Sequence, residues 1–390
     1  MVVSFSPEVK LLLMACSVSL SPEKQNRLTD FLGQHAVNWD RVYTLAVRHR
    51  LTPFLYRSLY QIPAVPASFI RTLQEECRTA ATDNLLKLHH YHQLAALLTE
   101  NNIDHLPLKG VYLAEHFYPD SSLRISGDID ILVRRDDGFR AIRLLQANDY
   151  ELNNQQRLHW QQGEEVILDD LHEVSLFKPF FNNSHFDIDL HWQILCFNRH
   201  YARFDLNYVR AQPNVSAERE IVLLIVHHGV NNVWQQLYYI NDLYFSLHNR
   251  DINWNWLLEE LRRYGIEEVF LAGLYWCVHI WELPLPKAVE SLVNSSRLRS
   301  LADRYAENWE ADEPSKYSKL IVKQATLLLN AQTRIGKQLT VCGTFLSSRI
   351  FRYSIFKVGN RFVYVPKELG LITLFVRAGQ SLTRFLPTRR

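Results

Sequence analysis

Cysteine is scarce in this chain and shows no pairing pattern. The five residues, Cys16, Cys77, Cys196, Cys277 and Cys342, are odd in number, widely scattered, and form neither a CxxC pair nor a ladder of cysteine and histidine ligands. That argues against a disulfide framework and a structural zinc module, and for small apolar core residues in a reducing cytoplasm. Long apolar runs are missing too, since no stretch reaches the roughly 18 to 20 uninterrupted apolar residues of a membrane span. The segment from Leu11 to Cys16 is apolar and follows Lys10, but it is short and its positive flank is thin, so it is not read as a secretion signal. An excess of one charge is absent as well: 43 lysines and arginines face 41 aspartates and glutamates. The whole-chain charge therefore says nothing about a polyanionic partner, and any electrostatic case must rest on local patches. No internal repeat or low-complexity tract is present.

What the chain does have is ample core material. Of its 390 residues 47 % are hydrophobic and 22 % charged, the balance of a soluble globular protein of two or three domains. From about residue 7 to 100 the apolar spacing is helical, interrupted at Pro53 and at Ile62-Pro63-Ala64-Val65-Pro66, which predicts a bundle of several helices. The pattern changes at Ile103. Residues 103–108 read as a strand, 110–117 as a short helix, 128–133 as a strand, 137–148 as a helix, and 166–168, 174–177 and 186–192 as further strands. Helical spacing returns at 221–233, 238–247, 254–264 and 267–281, with Pro284 and Pro286 ending the last. The expected architecture is α+β: a small mixed sheet at 101–215, between a helical region at 1–100 and a second at 216–390.

Chemistry concentrates in Leu106-Pro107-Leu108-Lys109-Gly110, Arg124 and Ser126-Gly127-Asp128-Ile129-Asp130-Ile131-Leu132-Val133. Residues two apart on a strand share a face with Cα atoms about 6.5 to 7 Å apart, so Asp128 and Asp130 project together. Two carboxylates so placed repel, and one takes up a proton unless a cation sits between them. Mg²⁺ suits such a pair, because it wants oxygen ligands and keeps positions for water and substrate phosphate. Two such ions about 3.5 to 4 Å apart can clamp the attacking and leaving oxygens of a phosphoryl or nucleotidyl transfer. A third carboxylate is sought in Phe186-Asp187-Ile188-Asp189-Leu190-His191-Trp192, where Asp187, Asp189 and His191 share one face. Asp189 is preferred because mid-strand ligands are held more rigidly, with Asp187 in reserve.

The Leu-Pro-Leu-Lys-Gly string, Arg124, the Asp-Ile-Asp-Ile-Leu-Val strand and the later Asp-Leu-His-Trp resemble the uncharacterised nucleotidyltransferase family of the DNA polymerase β-like superfamily. The likeness extends to Trp39 and His49-Arg50-Leu51-Thr52-Pro53 upstream, and to Asp242 and Trp254 to Pro286 downstream. It implies that Asp128, Asp130 and Asp189 bind the metal, that Lys109 and Gly110 form the phosphate turn, and that Arg124 lies near the triphosphate. Lys109-Gly110 replaces the superfamily's usual Gly-Ser, and the interval to Asp128 is longer than usual. The implied activity is transfer of a nucleoside monophosphate, from a nucleoside triphosphate such as ATP with Mg²⁺ or Mn²⁺, to a protein, peptide, RNA or small-molecule acceptor. The alternative is a catalytically inactive nucleotide-binding regulatory or scaffold module.

Other features have plainer expectations. His191 and Trp192 are assigned first to packing between the sheet and a following helix. His89, His90, His92, His227 and His228 are expected on helix surfaces or at helix ends, and Asp242 in a buried salt bridge to an arginine. The bias of Arg349, Arg352, Lys357, Arg361, Lys367, Arg377, Arg384, Arg389 and Arg390 against the acidic Glu368 predicts a solvated helical face. Its second reading is contact with an anionic surface.

Overall fold

Among the described residues of the N-terminal region, proline and capping residues mark off five helices: α1 (Pro7–Ala15), α2 (Pro22–Gln34), α3 (Trp39–Arg48), α4 (Thr52–Leu59) and α5 (Ala67–Glu100). Ser6, Ser21 and Asn38 each accept, through a side-chain oxygen, the N–H three residues on, which satisfies a donor the helix cannot pair internally. Pro53 stands in the first turn of α4, where its missing N–H costs nothing. The 34 residues of α5 extend about 50 Å. The computed structural model describes residues 5–16, 21–153, 160, 163–180, 184–194, 204–248, 250–313, 317–332, 335–351, 354–358 and 361–373.

Among the described residues five strands follow: β1 (His105–Pro107), β2 (Ile129–Val133), β3 (Glu151–Leu152), β4 (Glu173–Pro179) and β5 (His185–His191). They form one mixed sheet in the order β1-β2-β5-β4-β3. The central pair, β2 and β5, is parallel and the remaining pairs are antiparallel. Alternation sorts the two faces. Ile129, Ile131, Val133, Val174, Leu176, Ile188 and Leu190 pack against Leu94 and Leu98 of α5 and against Ala141, Ile142 and Leu145 of α7 (Arg135–Gln146). A short helix, α6 (Val111–His116), links β1 to the loop before β2. On the opposite face Leu132 joins a larger core shared with the N- and C-terminal helices, so the face carrying Asp130 is turned toward the helical regions.

The strand expected at 166–168 is instead part of helix α8 (Glu164–Asp170). Three apolar residues in a row cannot distinguish strand from helix, and tertiary contact decides. Leu168 packs against α7 so closely that a Cβ on Gly138 would lie 3.1 Å from its Cδ2. The Trp192 indole donates to the carbonyls of Leu168 and Leu171, at 3.2 and 3.0 Å.

The C-terminal region contains α9 (Leu206–Arg210), α10 (Ser216–Ile225), α11 (Leu237–His248), α12 (Trp254–Tyr264), α13 (Glu267–Trp281), α14 (Lys287–Val293), α15 (Ser296–Ala306), α16 (Tyr317–Asn330) and α17 (Ile335–Ile350). A π-helical turn, Val226–Asn231, prolongs α10. An antiparallel hairpin of β6 (Ser354–Val358) and β7 (Arg361–Val365) follows α17, so part of the basic stretch is extended and not helical. Arg352, Arg377, Arg384, Arg389, Arg390 and Cys196 lie outside the described residues. Cys16 and Cys277 are core members, as expected. Among the described residues no helix is long and apolar enough to cross a membrane.

Candidate active site

The parallel register sets Asp130 of β2 directly beside Asp189 of β5, on the sheet face turned toward the helices. His191, two residues along β5, joins them, and one ligand atom from each of the three lies within 4.8 Å of the others. Asp128 immediately precedes β2. Asp187, the reserve candidate, is exposed, with His185 Nε2 3.2 Å from its carboxylate.

The repulsion anticipated between Asp128 and Asp130 is met in the structure by Lys109. Its ammonium lies 3.4 Å from Asp128 Oδ2 and 2.9 Å from Asp130 Oδ2. Burial alone would raise the Asp128 carboxyl, but the Lys109, Arg50 and Arg124 cations outweigh it and hold it near 2. Asp189 behaves oppositely. Burial, with the Asp130 and Glu173 carboxylates beside it, pushes its pKa up to about 6.

His191 bridges two carboxylates. Its Nε2 hydrogen-bonds Asp130 Oδ1 at 3.0 Å, and its Nδ1 lies 3.0 Å from Glu173 Oε2. Burial would depress the imidazole, but Glu173 and Asp130 raise it to about 10. Hydrogen-bonded to Asp130, the imidazole helps to hold that carboxylate in place. It thus belongs to the acidic site, whereas Trp192 packs between β5 and α8.

The loop that delivers Asp128 is clamped by α5. Asn84 accepts the Ser126 N–H at 3.1 Å and donates to the Arg124 carbonyl at 2.7 Å, while the Lys87 ammonium donates to the Ser126 carbonyl at 2.7 Å. Gly110 caps α6 with φ 61°, and a Cβ there would meet the Asp128 carbonyl at 3.2 Å. Glycine is therefore required both by conformation and by space. Because α6 has six residues, positive charge at this turn comes chiefly from Lys109.

Arg124, whose cation also acts on Asp128, has a direct ion-pair partner in Asp242. Its guanidinium grips Asp242 with two hydrogen bonds, Nε to Oδ1 at 2.7 Å and Nη2 to Oδ2 at 2.9 Å, both groups buried. Tyr118 donates to the same carboxylate at 2.6 Å, and His228 Nε2 lies 3.0 Å from it. His228 stands in the last turn of the π-helical segment, as a helix-end histidine, but it is fully buried and not at a surface, directed inward at Asp242. His90 also departs from the surface expectation: it stacks on Phe186 with ring centroids 4.1 Å apart and hydrogen-bonds the Tyr150 hydroxyl at 3.0 Å. His89 and His92 are exposed.

A model of the uncharacterised nucleotidyltransferase family matches residues 35–282, more than half of the chain and every side chain of the acidic site. The chain belongs to the uncharacterised nucleotidyltransferase family. No curated protein and no solved structure matches it. Within this nucleotidyltransferase-family chain the match runs from α3 to the end of α13, leaving α1, α2 and the helices after α13 outside it.

The donor set fits a hard divalent cation. Two carboxylates come from adjacent strands, and Asp130 Oδ2 is buried with the Lys109 ammonium as its ion-pair partner. Reading the sequence did not single out Glu173, Asn84 or Lys87, and it named Arg50 only within the upstream string that resembles the family, with no role at the site. Asn84 and Lys87 carried a weak signal, polar residues three apart on a helix that turns that stripe inward. Glu173 carried none, and nothing in the string that contains Arg50 placed it at the site, since only tertiary contact brings these residues there.

Proposed function

We propose that this protein binds a nucleoside triphosphate and transfers its nucleoside monophosphate to an acceptor, releasing pyrophosphate. An acceptor oxygen attacks the α-phosphorus, the bond from that phosphorus to the bridging oxygen breaks, and the acceptor proton passes to solvent. A divalent cation, Mg²⁺ or Mn²⁺, supplies charge neutralisation at the phosphates when bound. Asp128, Asp130 and Asp189 would hold it, His191 and Glu173 fix the orientation of Asp130, and Lys109 adds positive charge at the phosphate turn. Gly110 lets that turn approach Asp128. Little side-chain acid–base chemistry is asked of the protein, because positioning and electrostatics dominate this reaction class.

The observation that carries this reading is the side-by-side register of Asp130 and Asp189 on parallel strands, within a chain of a nucleotidyltransferase family. The Lys109 ammonium lying between Asp128 and Asp130 favours a second reading, a module that binds nucleotide without turnover. One experiment separates them. The protein is incubated with each α-³²P-labelled nucleoside triphosphate, Mg²⁺ and cell extract, beside Asp128→Ala, Asp130→Ala, Asp189→Asn and Asp187→Asn. Transfer is expected with wild type and Asp187→Asn, and a loss of at least about 100-fold in the other three. Equal labelling by Asp128→Ala and Asp130→Ala would discard the catalytic assignment, while nucleotide binding without labelling would establish the inactive module.

A further inference from the structure

Arg50 lies in the turn between α3 and α4, with a backbone φ of 55°. That left-handed conformation costs a non-glycine residue on the order of 1 kcal/mol and persists only where the surroundings hold it. They do so here. His49 beside it is fully buried, its Nε2 3.1 Å from the Trp309 carbonyl and its Nδ1 accepting the Leu237 N–H at 3.1 Å. The backbone N–H groups of Arg50 and Leu51 donate to the carbonyls of Val47 and Ala46, at 3.1 and 2.8 Å.

The turn directs the Arg50 guanidinium at the loop that delivers Asp128. One of its terminal nitrogens would lie 2.9 Å from a Cβ on Gly127, and its central carbon is 4.9 Å from the centroid of the Tyr238 ring. Gly127 is thus the residue type that leaves room for it. The cations around the site differ in their partners. Lys109 is paired with Asp128 and Asp130, Arg124 with Asp242, and Lys87 with Asp83. Arg50, half-buried, acts on the Asp128 carboxylate only at a distance, and among the described residues it makes no direct ion pair and no side-chain hydrogen bond. Stacking on an aromatic ring does not use the N–H donors of a guanidinium, and a pair of those donors matches the oxygens of a phosphate two at a time.

We infer that Arg50 is an anion-binding residue of this site and that the group it takes is the polyphosphate of the nucleoside triphosphate. Naming the nucleotide rests on the transferase reading; the existence of the anion site does not.

The test is calorimetric titration of the full chain with inorganic tripolyphosphate in metal-depleted buffer at low salt. Wild type is expected to bind. Arg50→Gln should weaken binding at least about tenfold, and Arg50→Lys should recover only part of that loss, because a point charge lacks the fork. Gly127→Ala, which crowds the guanidinium, should weaken binding with Arg50 still present. It tests the site independently should Arg50→Gln fail to fold, a failure that circular dichroism would reveal. Absence of tripolyphosphate binding by wild type, or equal affinity in wild type, Arg50→Gln and Gly127→Ala, overturns the inference. The two readings fail separately. Tripolyphosphate bound through Arg50 with no nucleotide ever transferred sinks the transferase and leaves the anion site, whereas transfer by Arg50→Gln with wild-type KM and kcat does the reverse.

Discussion

Arg124 and Asp242 show how a charged residue near a site can be occupied by the fold. Both are buried and doubly hydrogen-bonded, and Tyr118 and His228 contact the same carboxylate. Burial would raise the Asp242 carboxyl, but Arg124 and His228 bring it far below the usual carboxylate range. Replacing one partner strands the other in a medium that solvates it poorly. Asp242→Asn is therefore expected to lower the unfolding free energy by about 3 to 5 kcal/mol, read from urea denaturation. The double replacement Arg124→Met with Asp242→Leu should recover most of the loss, because neither charge is then left alone. An Asp242→Asn protein as stable as wild type would show that Arg124 does not depend on this carboxylate.

At the scale of elements, the seam between α5 and β5 includes a histidine that folding keeps neutral. His90 of α5 stacks on Phe186 of β5, and burial brings its pKa down from 6.5 to about 4. His49, after α3, is likewise lowered to about 3 by burial and by the Arg48 cation. In both cases the unfolded chain takes the proton first as pH falls. The stabilising effect is present above about pH 6.5 and is lost on descending toward pH 4, at up to about 1.4 kcal/mol per pH unit for each histidine. Urea unfolding at a series of pH values should show this slope, and His90→Phe, which keeps the stack, should make it shallower. An unchanged slope in that variant would exclude His90 as a source. The elements themselves were largely legible beforehand. Strands at 129–133 and 185–191 and helices at 254–264 and 267–281 were expected within a residue or so, because period and length spoke together there. Residues 166–168 were not, since so short an apolar run carries no period, and contact with α7 and Trp192 made them helical.

At the scale of the molecule, the candidate site draws on three separate stretches of chain. Asp128, Asp130, Asp189 and Lys109 come from the α/β core, Asn84, Lys87 and Arg50 from the N-terminal helices, and Asp242 and Tyr238 from α11. The boundaries at 101–215 describe a change in sequence pattern, yet Leu132 and Leu106 share a core with the helices on both sides. A fragment of residues 101–215 is accordingly expected to give no cooperative unfolding transition and no near-ultraviolet dichroism, whereas the full chain gives both. A cooperatively folding fragment would show that the helical regions are dispensable for the core.

The sequence by itself determined what local periodicity can determine. It put Asp128 and Asp130 on one side of a strand and Asp187, Asp189 and His191 on one side of another, because side chains alternate whatever the strand pairs with. Which strand lies beside which, and therefore that Asp130 meets Asp189, was decided by tertiary structure. So were the ammonium of Lys109 between the carboxylates, the capture of Arg124 by Asp242, and the arrival of Arg50 from the turn after α3. Those contacts join residues tens to more than a hundred positions apart, and their partners are selected by packing and charge in three dimensions, which no spacing along the chain encodes.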